Sequence, residues 1–221
     1  MQRKVIAELL DDDLGTPDEI AKSLVDLRHI NNWFGGTRTT TWLLRRIAHE
    51  SRKTKLSLLE IGAGRGDLPV QARDRLAAAN IELQVTLVDR IPTHLPRNTV
   101  NSVAADALHL PFRDDSFDVV SCSLFVHHFE PNELPLLVNE ALRVCSKAVL
   151  INDLIRSRVH LGLVYMGLPL FASPITWHDA PASVKRAYTL GEMESMLANL
   201  PAKRLEITRH YLYRMGVLLW K

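Results

Sequence analysis

Apolar runs of strand length alternate with helix-like segments from residue 55 onward. The pattern predicts strands over 56–61, 83–88, 100–104, 117–124 and 148–151, with helices over 67–80 and 133–144. This alternation is typical of a parallel sheet that helices cover on both faces. A further helix over 192–200 and a closing pair of strands over 205–211 and 215–220 complete the predicted α/β arrangement.

The residues before this alternation predict helices. A short helix is expected over 3–10, and Thr16 followed by Pro17 is typical of a capped helix start. Residues 31–36 break that second helix, and a third is expected over 37–47. Trp33 and Phe34 in the break fit either a loop that folds over a site or a hydrophobic corner of the core. Residues 156–188 are expected to be the least regular part, because three prolines interrupt them.

A glycine-rich stretch ends the first predicted strand. Residues 58–66 read Leu-Leu-Glu-Ile-Gly-Ala-Gly-Arg-Gly, which predicts a tight turn with its backbone open to a ligand. The spacing is one residue tighter than the G-x-G-x-x-G of dinucleotide-binding proteins. Asp89 terminates the second strand, where an acid can accept hydrogen bonds from a ribose diol.

These motifs resemble those of class I S-adenosylmethionine-dependent methyltransferases. Asp106-Ala107 and the run from Leu110-Pro111-Phe112 to Ser116-Phe117-Asp118 extend the resemblance to the small-molecule branch that includes ubiquinone and menaquinone biosynthesis enzymes. The resemblance implies an α/β fold: a Rossmann-like, mostly parallel seven-stranded sheet with helices on both faces and an N-terminal helical cap. We expect one domain, with the cap over 1–54, the cofactor-binding core over 55–155 and a substrate-side segment over 156–221.

The resemblance also implies site residues for the donor. The glycine turn would surround its methionine portion, Asp89 would hold the ribose hydroxyls, and Asp106-Ala107 would meet the adenine. Arg38 either reaches the donor's carboxylate or is an ordinary exposed arginine. The full expected cofactor set is Arg38, Glu60, Gly62, Ala63, Gly64, Gly66, Asp89, Arg90, Asp106, Ala107 and Ser123.

His127 and His128 directly follow the fourth strand. Histidine is suited to drawing a proton from a phenol or enol near neutral pH, so either residue is a catalytic candidate. Packing around the cofactor pocket is the alternative role. No metal site is predicted, because carboxylates and histidines are scattered without ligand spacing.

Composition narrows the class of partner. The net charge of +2 gives no concentrated basic face for nucleic acid, and the apolar run over 161–172 is too short to span a membrane. Cys122 and Cys145 stand in apolar contexts and are expected to be buried. The acidic Asp11-Asp12-Asp13 run argues against a secretory signal, so a cytoplasmic enzyme is expected. The oligomeric state stays open.

The expected reaction is methyl transfer from S-adenosylmethionine to a small molecule, at a phenol-like or enol-like oxygen rather than a carbon or nitrogen. Residues 31–36 and 183–188 resemble bacterial methyltransferases of polyketide and other secondary metabolism. Residues 31–38 and 156–188 concentrate aromatics, glycines and prolines, and we expect them to form two walls over the donor's methyl group. A nicotinamide-dependent oxidoreductase would need the longer glycine spacing. A non-catalytic cofactor-binding regulator stays open, and so does a protein or nucleic-acid methyltransferase, although Ser-Leu-Phe-Val at 123–126 replaces the motif of the common amine modifiers.

Overall fold

A seven-stranded sheet forms the centre of the computed structural model, which describes residues 1–96 and 100–221. The sheet order is β3-β2-β1-β4-β5-β7-β6, and β7 alone runs antiparallel to its neighbours. This confirms the predicted mostly parallel Rossmann-like sheet. The strands are β1 Lys55–Ile61, β2 Glu82–Asp89, β3 Asn101–Ala104, β4 Phe117–Ser123, β5 Cys145–Leu154, β6 Arg204–His210 and β7 Arg214–Trp220.

Helices cover both faces of the sheet. They are α1 Pro17–Trp33, α2 Gly36–Glu50, α3 Asp67–Ala77, α4 Leu134–Val144, α5 Arg158–Gly167, α6 Pro174–Arg186 and α7 Leu190–Leu197. One apolar core joins α2 and α3 to the sheet, and a second joins α4 and α7 to its other face. Cys122 and Cys145 are buried, as predicted. No helix of the described residues is long and apolar enough to cross a membrane.

The predicted helix over 3–10 is wrong. Residues 1–13, here called the N-terminal strap, run without an α-helix and contain one 3₁₀ turn at Leu10–Asp12. The backbone N–H groups of the strap find partners elsewhere in the chain: Leu9 and Leu10 donate to the Asp179 carboxylate, and Lys4 donates to the carbonyl of Lys185. Hydrogen bonds to α6 therefore replace those that a helix would make within itself.

The predicted irregularity of residues 156–188 is also wrong. This segment forms α5 and α6, joined through a 3₁₀ turn at Leu168–Leu170. Pro174 occupies the first turn of α6, where a missing N–H costs nothing, and Pro169 lies in the 3₁₀ turn. Only Pro181 stands inside a helix. The prolines therefore mostly mark helix starts rather than a loop.

The remaining boundaries differ by a few residues. Helix α1 begins at the predicted cap, where Thr16 and Glu19 form a capping box, but it continues to Trp33. The break before α2 shrinks to Phe34 and Gly35, and Gly35 has a positive φ of 82°. Strand β5 is longer than predicted at both ends, because Cys145 pairs with Phe117 of β4 and the residues from Ala148 to Leu154 pair with β7.

Candidate active site

A cavity of about 850 Å³ lies beyond the carboxyl ends of β1, β2, β4 and β5. The glycine turn and the ends of these strands line one side, and the N-terminal strap, α1, α5 and α6 line the other. Ligands of open α/β sheets bind at this edge, where the strand order reverses. Every predicted site residue except Arg38 lines this cavity.

The glycine turn uses its three glycines for different reasons. All three have positive φ, at 64°, 50° and 72° for Gly62, Gly64 and Gly66. A Cβ on Gly62 would lie 2.3 Å from the Phe125 ring, and one on Gly66 would lie 2.4 Å from Leu87. A Cβ on Gly64 would meet nothing within 4 Å. Gly62 and Gly66 thus permit close packing, whereas Gly64 leaves backbone open to a ligand.

Asp89 lies at the end of β2 beside the glycine turn. One of its carboxylate oxygens accepts the N–H of Gly64 at 2.8 Å, and the other accepts the N–H of Ile91 at 2.9 Å. Each oxygen keeps a further lone pair for a ligand hydroxyl. Arg90 follows Asp89 on the cavity wall. This arrangement fits recognition of a vicinal diol.

Asp106 and Ala107 line the cavity after β3. The Asp106 carboxylate accepts the N–H of Leu108 at 2.9 Å, and this bond lowers the pKa of Asp106. Ala107 is buried against the apolar core. The ends of β1, β2 and β3 therefore supply one continuous wall, which we call the donor half of the cavity.

Glu60 and Ser123 lie at the floor, between the glycine turn and the end of β4. Glu60 is fully buried and accepts a hydrogen bond from the Ser121 hydroxyl. Burial raises the pKa of Glu60 to about 7. The Ser123 hydroxyl is buried without a hydrogen-bond partner among the described residues. Because both residues line the cavity, a bound molecule can supply the missing partner.

Arg38 lies outside this cavity. It is exposed on α2, whose neighbouring Thr37 and Thr39 side chains are buried, so its side chain points the other way. It lines a separate groove with Trp42, Arg45, Arg75, Arg209 and His210. The expectation that Arg38 reaches the donor's carboxylate is therefore wrong, and the alternative of an exposed arginine fits its position.

Arg214 is a buried cation on the cavity wall that the sequence analysis missed. Its side chain is 1% exposed, and Nη2 donates to the Asn31 side chain at 3.0 Å. Nε and Nη1 have no hydrogen-bond partner among the described residues. Burial lowers the pKa of Arg214 to about 10. In the sequence it stands in the predicted turn between the two closing strands, with no signal of burial.

His127 is held between two carboxylates. Its Nδ1 lies 2.7 Å from Asp153 and its Nε2 lies 3.4 Å from Glu8. The backbone N–H of His127 also donates to Asp153. Burial alone would lower the pKa of His127, but the two acids raise it to about 10. The ring is therefore fixed in orientation at the floor of the cavity.

His128 stands beside His127, and Glu8 reaches both. The Nδ1 of His128 lies 2.9 Å from Asp11, and Arg186 donates to the His128 carbonyl. Ligand atoms of Glu8, His127 and His128 lie within 4.8 Å of one another. The expectation that histidines and carboxylates are scattered is wrong here, because the N-terminal strap brings Glu8 and Asp11 to the end of β4. The sequence holds no signal for this approach.

Apolar side chains form the rest of the second wall. Both segments expected to cover the site contribute, 31–38 through Asn31 and Phe34 and 156–188 through α5 and α6. Met166 and Leu170 are largely exposed at the rim. We call this side, together with the two histidines and the strap, the acceptor half. Its apolar lining is Leu24, Leu27, Ile30, Phe34, Leu163, Val164, Met166, Leu170 and Phe171.

Comparison with known proteins agrees with this geometry. Residues 59–151 match the family model described as a methyltransferase domain. A search of curated protein sequences finds no match.

Solved structures share the fold at low sequence identity. The plantazolicin methyltransferase BpumL, in complex with a triazolic desmethylPZN analog and SAH, is 16% identical with a TM-score of 0.72, over 97% of this chain and 95% of that one. A SAM-dependent methyltransferase from Aquifex aeolicus is 13% identical with a TM-score of 0.60, over 93% and 99%. Human N-acetylserotonin methyltransferase in complex with SAM is 11% identical with a TM-score of 0.61, over 92% and 56%.

The donor half fits S-adenosylmethionine on its own geometry. Gly64 leaves a cradle that any side chain would fill, Asp89 offers two carboxylate oxygens, and the Ser123 hydroxyl lacks a partner among the described residues. The matched family uses this donor, and its match covers the strands that carry these residues. The chain therefore carries a methyltransferase domain over residues 59–151, in the fold that solved S-adenosylmethionine-dependent methyltransferases share.

Proposed function

We propose that this enzyme methylates an oxygen of a small, largely apolar molecule such as a phenol or enol. The observation that carries the proposal is the acceptor half of the cavity. There a polar floor of His127, His128 and Glu8 ends a chamber whose remaining walls are mostly apolar. An acceptor with one reactive oxygen and a hydrocarbon body would place its oxygen at the polar floor and its hydrocarbon part against the apolar walls. Quinone-type or secondary metabolism is the finer assignment that the sequence resemblance favours.

The donor contacts follow from the predicted residues. We propose that the glycine turn with Ala63 and Glu60 surrounds the methionine portion, that Asp89 and Arg90 meet the ribose, and that Asp106 and Ala107 meet the adenine. Ser123 lies between the donor and acceptor halves. When bound, the donor supplies an electrophilic methyl group, so the chain has mainly to align the acceptor's oxygen with that methyl group and exclude water.

His127 and His128 are the proposed catalytic residues. Asp153 holds the His127 ring and Asp11 holds the His128 ring, so both are preorganised rather than free to turn. Both line the cavity at the end of β4, next to the Ser123 hydroxyl. We assign them to the acceptor's oxygen. His127, whose pKa of about 10 keeps it protonated at neutral pH, would donate a hydrogen bond to that oxygen, and His128 would help to deprotonate it.

Two other functions of the same fold make different demands. A regulator that only binds S-adenosylmethionine would need no polar floor in an apolar chamber. A protein or nucleic-acid methyltransferase would need an open groove, whereas the strap, α5 and α6 wall this cavity. We therefore propose a small-molecule partner and no nucleic acid. The cytoplasmic location and the single-domain organisation stay predictions.

The test is product identification by mass spectrometry. The purified chain is incubated with S-adenosylmethionine and, separately, with an alkylphenol, an enolic pyrone, an alkylamine, an RNA and a protein mixture. We expect O-methylated phenol or pyrone together with S-adenosylhomocysteine. A Gly64→Val variant, in which a side chain fills the donor cradle, is the negative control. Methylation of only the amine, RNA or protein would contradict the proposal, as would donor binding without any product.

A further inference from the structure

We propose that Glu8, His127 and His128 bind a divalent transition-metal ion of the zinc type at the floor of the acceptor half. These residues come from the N-terminal strap and from the turn after β4, and the fold alone joins them. The ion would hold the acceptor's oxygen. That role rests on the proposed function, whereas binding of the ion does not.

The spacing of the donor atoms suits a metal ion. Nε2 of His127 and Oε1 of Glu8 are 3.4 Å apart, and the group that includes His128 fits within 4.8 Å. Two ligands of a tetrahedral ion with bonds of about 2.0–2.1 Å lie about 3.3 Å apart. Both atoms are buried, and neither has a hydrogen-bond partner among the described residues, although they are this close. They face each other as an ion pair without hydrogen-bond geometry, so a metal ion could take the place of the proton between them.

The surroundings of both histidines are those of metal ligands. Ligating histidines almost always use their second ring nitrogen to hold a carboxylate or carbonyl, which fixes the tautomer and the ring. Here Nδ1 of His127 faces Asp153 at 2.7 Å, and Nδ1 of His128 faces Asp11 at 2.9 Å. In each ring Nε2 is the nitrogen left over. Two carboxylates on two neighbouring histidines are a second observation, independent of the spacing.

The local charge also favours a dication. Glu8, Asp11 and Asp153 surround the two rings, each with a carboxylate oxygen within 3.4 Å of a ring nitrogen. Two arginines also contact this group: Arg186 lies 3.4 Å from Nδ1 of His128 and 3.8 Å from Asp11, and Arg3 donates to the backbone carbonyl of His127 at 3.3 Å. Neither guanidinium hydrogen-bonds to Oε1 of Glu8 or Nε2 of His127, two of the atoms that would hold the ion, among the described residues. Without a metal, a proton on Nε2 of His127 would occupy the same point.

Three protein ligands leave a fourth position open, as in catalytic zinc sites. This position faces the chamber, where an acceptor hydroxyl would bind and lose its proton more readily. The hydroxyl proton passes to water. An oxygen lone pair then forms the new C–O bond while the C–S bond of the sulfonium breaks, so the products are the methyl ether and S-adenosylhomocysteine.

The experiment measures binding of Zn²⁺ alone to the chelator-treated chain by calorimetry, with Co²⁺ as a spectroscopic probe. We expect one equivalent of Zn²⁺ and visible Co²⁺ absorption bands of a low-coordinate N/O site. Glu8→Gln and His128→Asn should each weaken Zn²⁺ binding at least tenfold. His94→Ala is the matched control: His94 pairs with Asp13 on the same cavity wall but has no second histidine, so its loss should leave Zn²⁺ affinity unchanged.

Circular dichroism checks that each variant is folded. Glu8 lies in the strap and His128 in the turn after β4, so a single local unfolding event could not explain weaker Zn²⁺ binding in both variants. Zn²⁺ affinity that is absent, or unchanged in both folded variants, would overturn the metal site. S-Adenosylhomocysteine affinity is measured in parallel. If the metal-free chain still O-methylates a phenol at full rate, the metal's role is overturned and the proposed function stands. If the chain binds Zn²⁺ but transfers no methyl group, the metal site stands and the proposed function is overturned.

Discussion

Asp89 is the single side chain on which the donor half depends most. It accepts two backbone N–H groups, and we propose that it also accepts the two ribose hydroxyls of the donor. Asp89→Ala should lower S-adenosylhomocysteine affinity by roughly ten- to a hundredfold, because charge-assisted hydrogen bonds are worth about 1.5–3 kcal/mol. Calorimetry on the folded variant measures this. Asp74→Ala, at an exposed aspartate of α3, is the control and should bind normally; equal affinity in both variants would assign Asp89 to shaping the turn alone.

Glu60 should make stability depend on pH. Its pKa of about 7 lies above the usual 4.5 of the unfolded chain, so the folded state resists ionisation. The contribution of Glu60 to stability is therefore greatest below pH 4.5, falls as the pH rises towards 7, and is lower by about 3 kcal/mol above that pH. Glu60→Gln removes this cost, so the variant should be more stable than the wild type at pH 8 and similar at pH 4.5.

Urea unfolding of the ligand-free chain at both pH values measures the difference. Glu194→Gln, at an exposed glutamate, should show no such dependence on pH. A Glu60→Gln variant that is no more stable at pH 8 would mean that Glu60 ionises freely in the folded chain.

Arg214 and Arg156 are both buried arginines but differ in their partners. Arg156 donates to the carbonyls of Met1 and Ala187 and to the Glu192 carboxylate, whereas the Arg214 side chain bonds only to Asn31 within the described part of the chain. Arg156→Met should cost about 3–5 kcal/mol, since it strands a partner, while Arg214→Met should be neutral or stabilising. Urea unfolding compares them. A large loss for Arg214→Met would show that its unpartnered donors are satisfied in solution.

Single residues of the site were predictable where the signal is local. The glycine turn, Asp89 and Asp106 each follow a strand directly, so strand ends alone bring them to one edge of the sheet. Glu8, Asp11 and Arg214 reach the cavity through the strap and through β7. Their placement depends on contacts between distant parts of the chain, which no local pattern encodes.

At the scale of elements, the α1–α6 pairing holds the acceptor wall in place. Asp26, buried in α1, accepts the N–H groups of Ala172 and Ser173 at the start of α6. Asp26→Ala should lower the free energy of unfolding by about 2 kcal/mol or more, because it strands these donors. Asp18→Ala, on the exposed side of α1, should change stability little. Thermal unfolding of the two variants measures the difference. Equal losses of stability would mean that the hydrogen bonds from Asp26 to the start of α6 do not stabilise the fold.

The elements of the core were predictable because their apolar period is unambiguous. Residues 156–188 were not, since Pro174 and Pro169 suit helix starts as well as loops. The strap was mistaken for a helix for the opposite reason. The apolar residues of the strap suggest a helix, but its N–H groups at Lys4, Leu9 and Leu10 bond to α6, two of them through the Asp179 carboxylate.

For the whole molecule, the two predicted walls should respond together to the donor. Residues 31–38 and 156–188 are far apart in sequence but line one cavity. S-Adenosylhomocysteine should slow hydrogen exchange in both, because a bound ligand suppresses local opening. Residues 204–210, at the sheet edge, serve as the internal control. Protection confined to residues 58–130 would mean that neither segment covers the donor.

The division of the cavity has a consequence for protein engineering. The ends of strands β1, β2 and β3 carry the proposed donor contacts, whereas the acceptor half is lined largely by the strap, α1, α5 and α6, none of which contributes a strand. A chimera that exchanges residues 158–186 keeps all seven strands and the whole glycine turn. Such an exchange would redirect which molecule is alkylated while the alkyl group delivered stays the same.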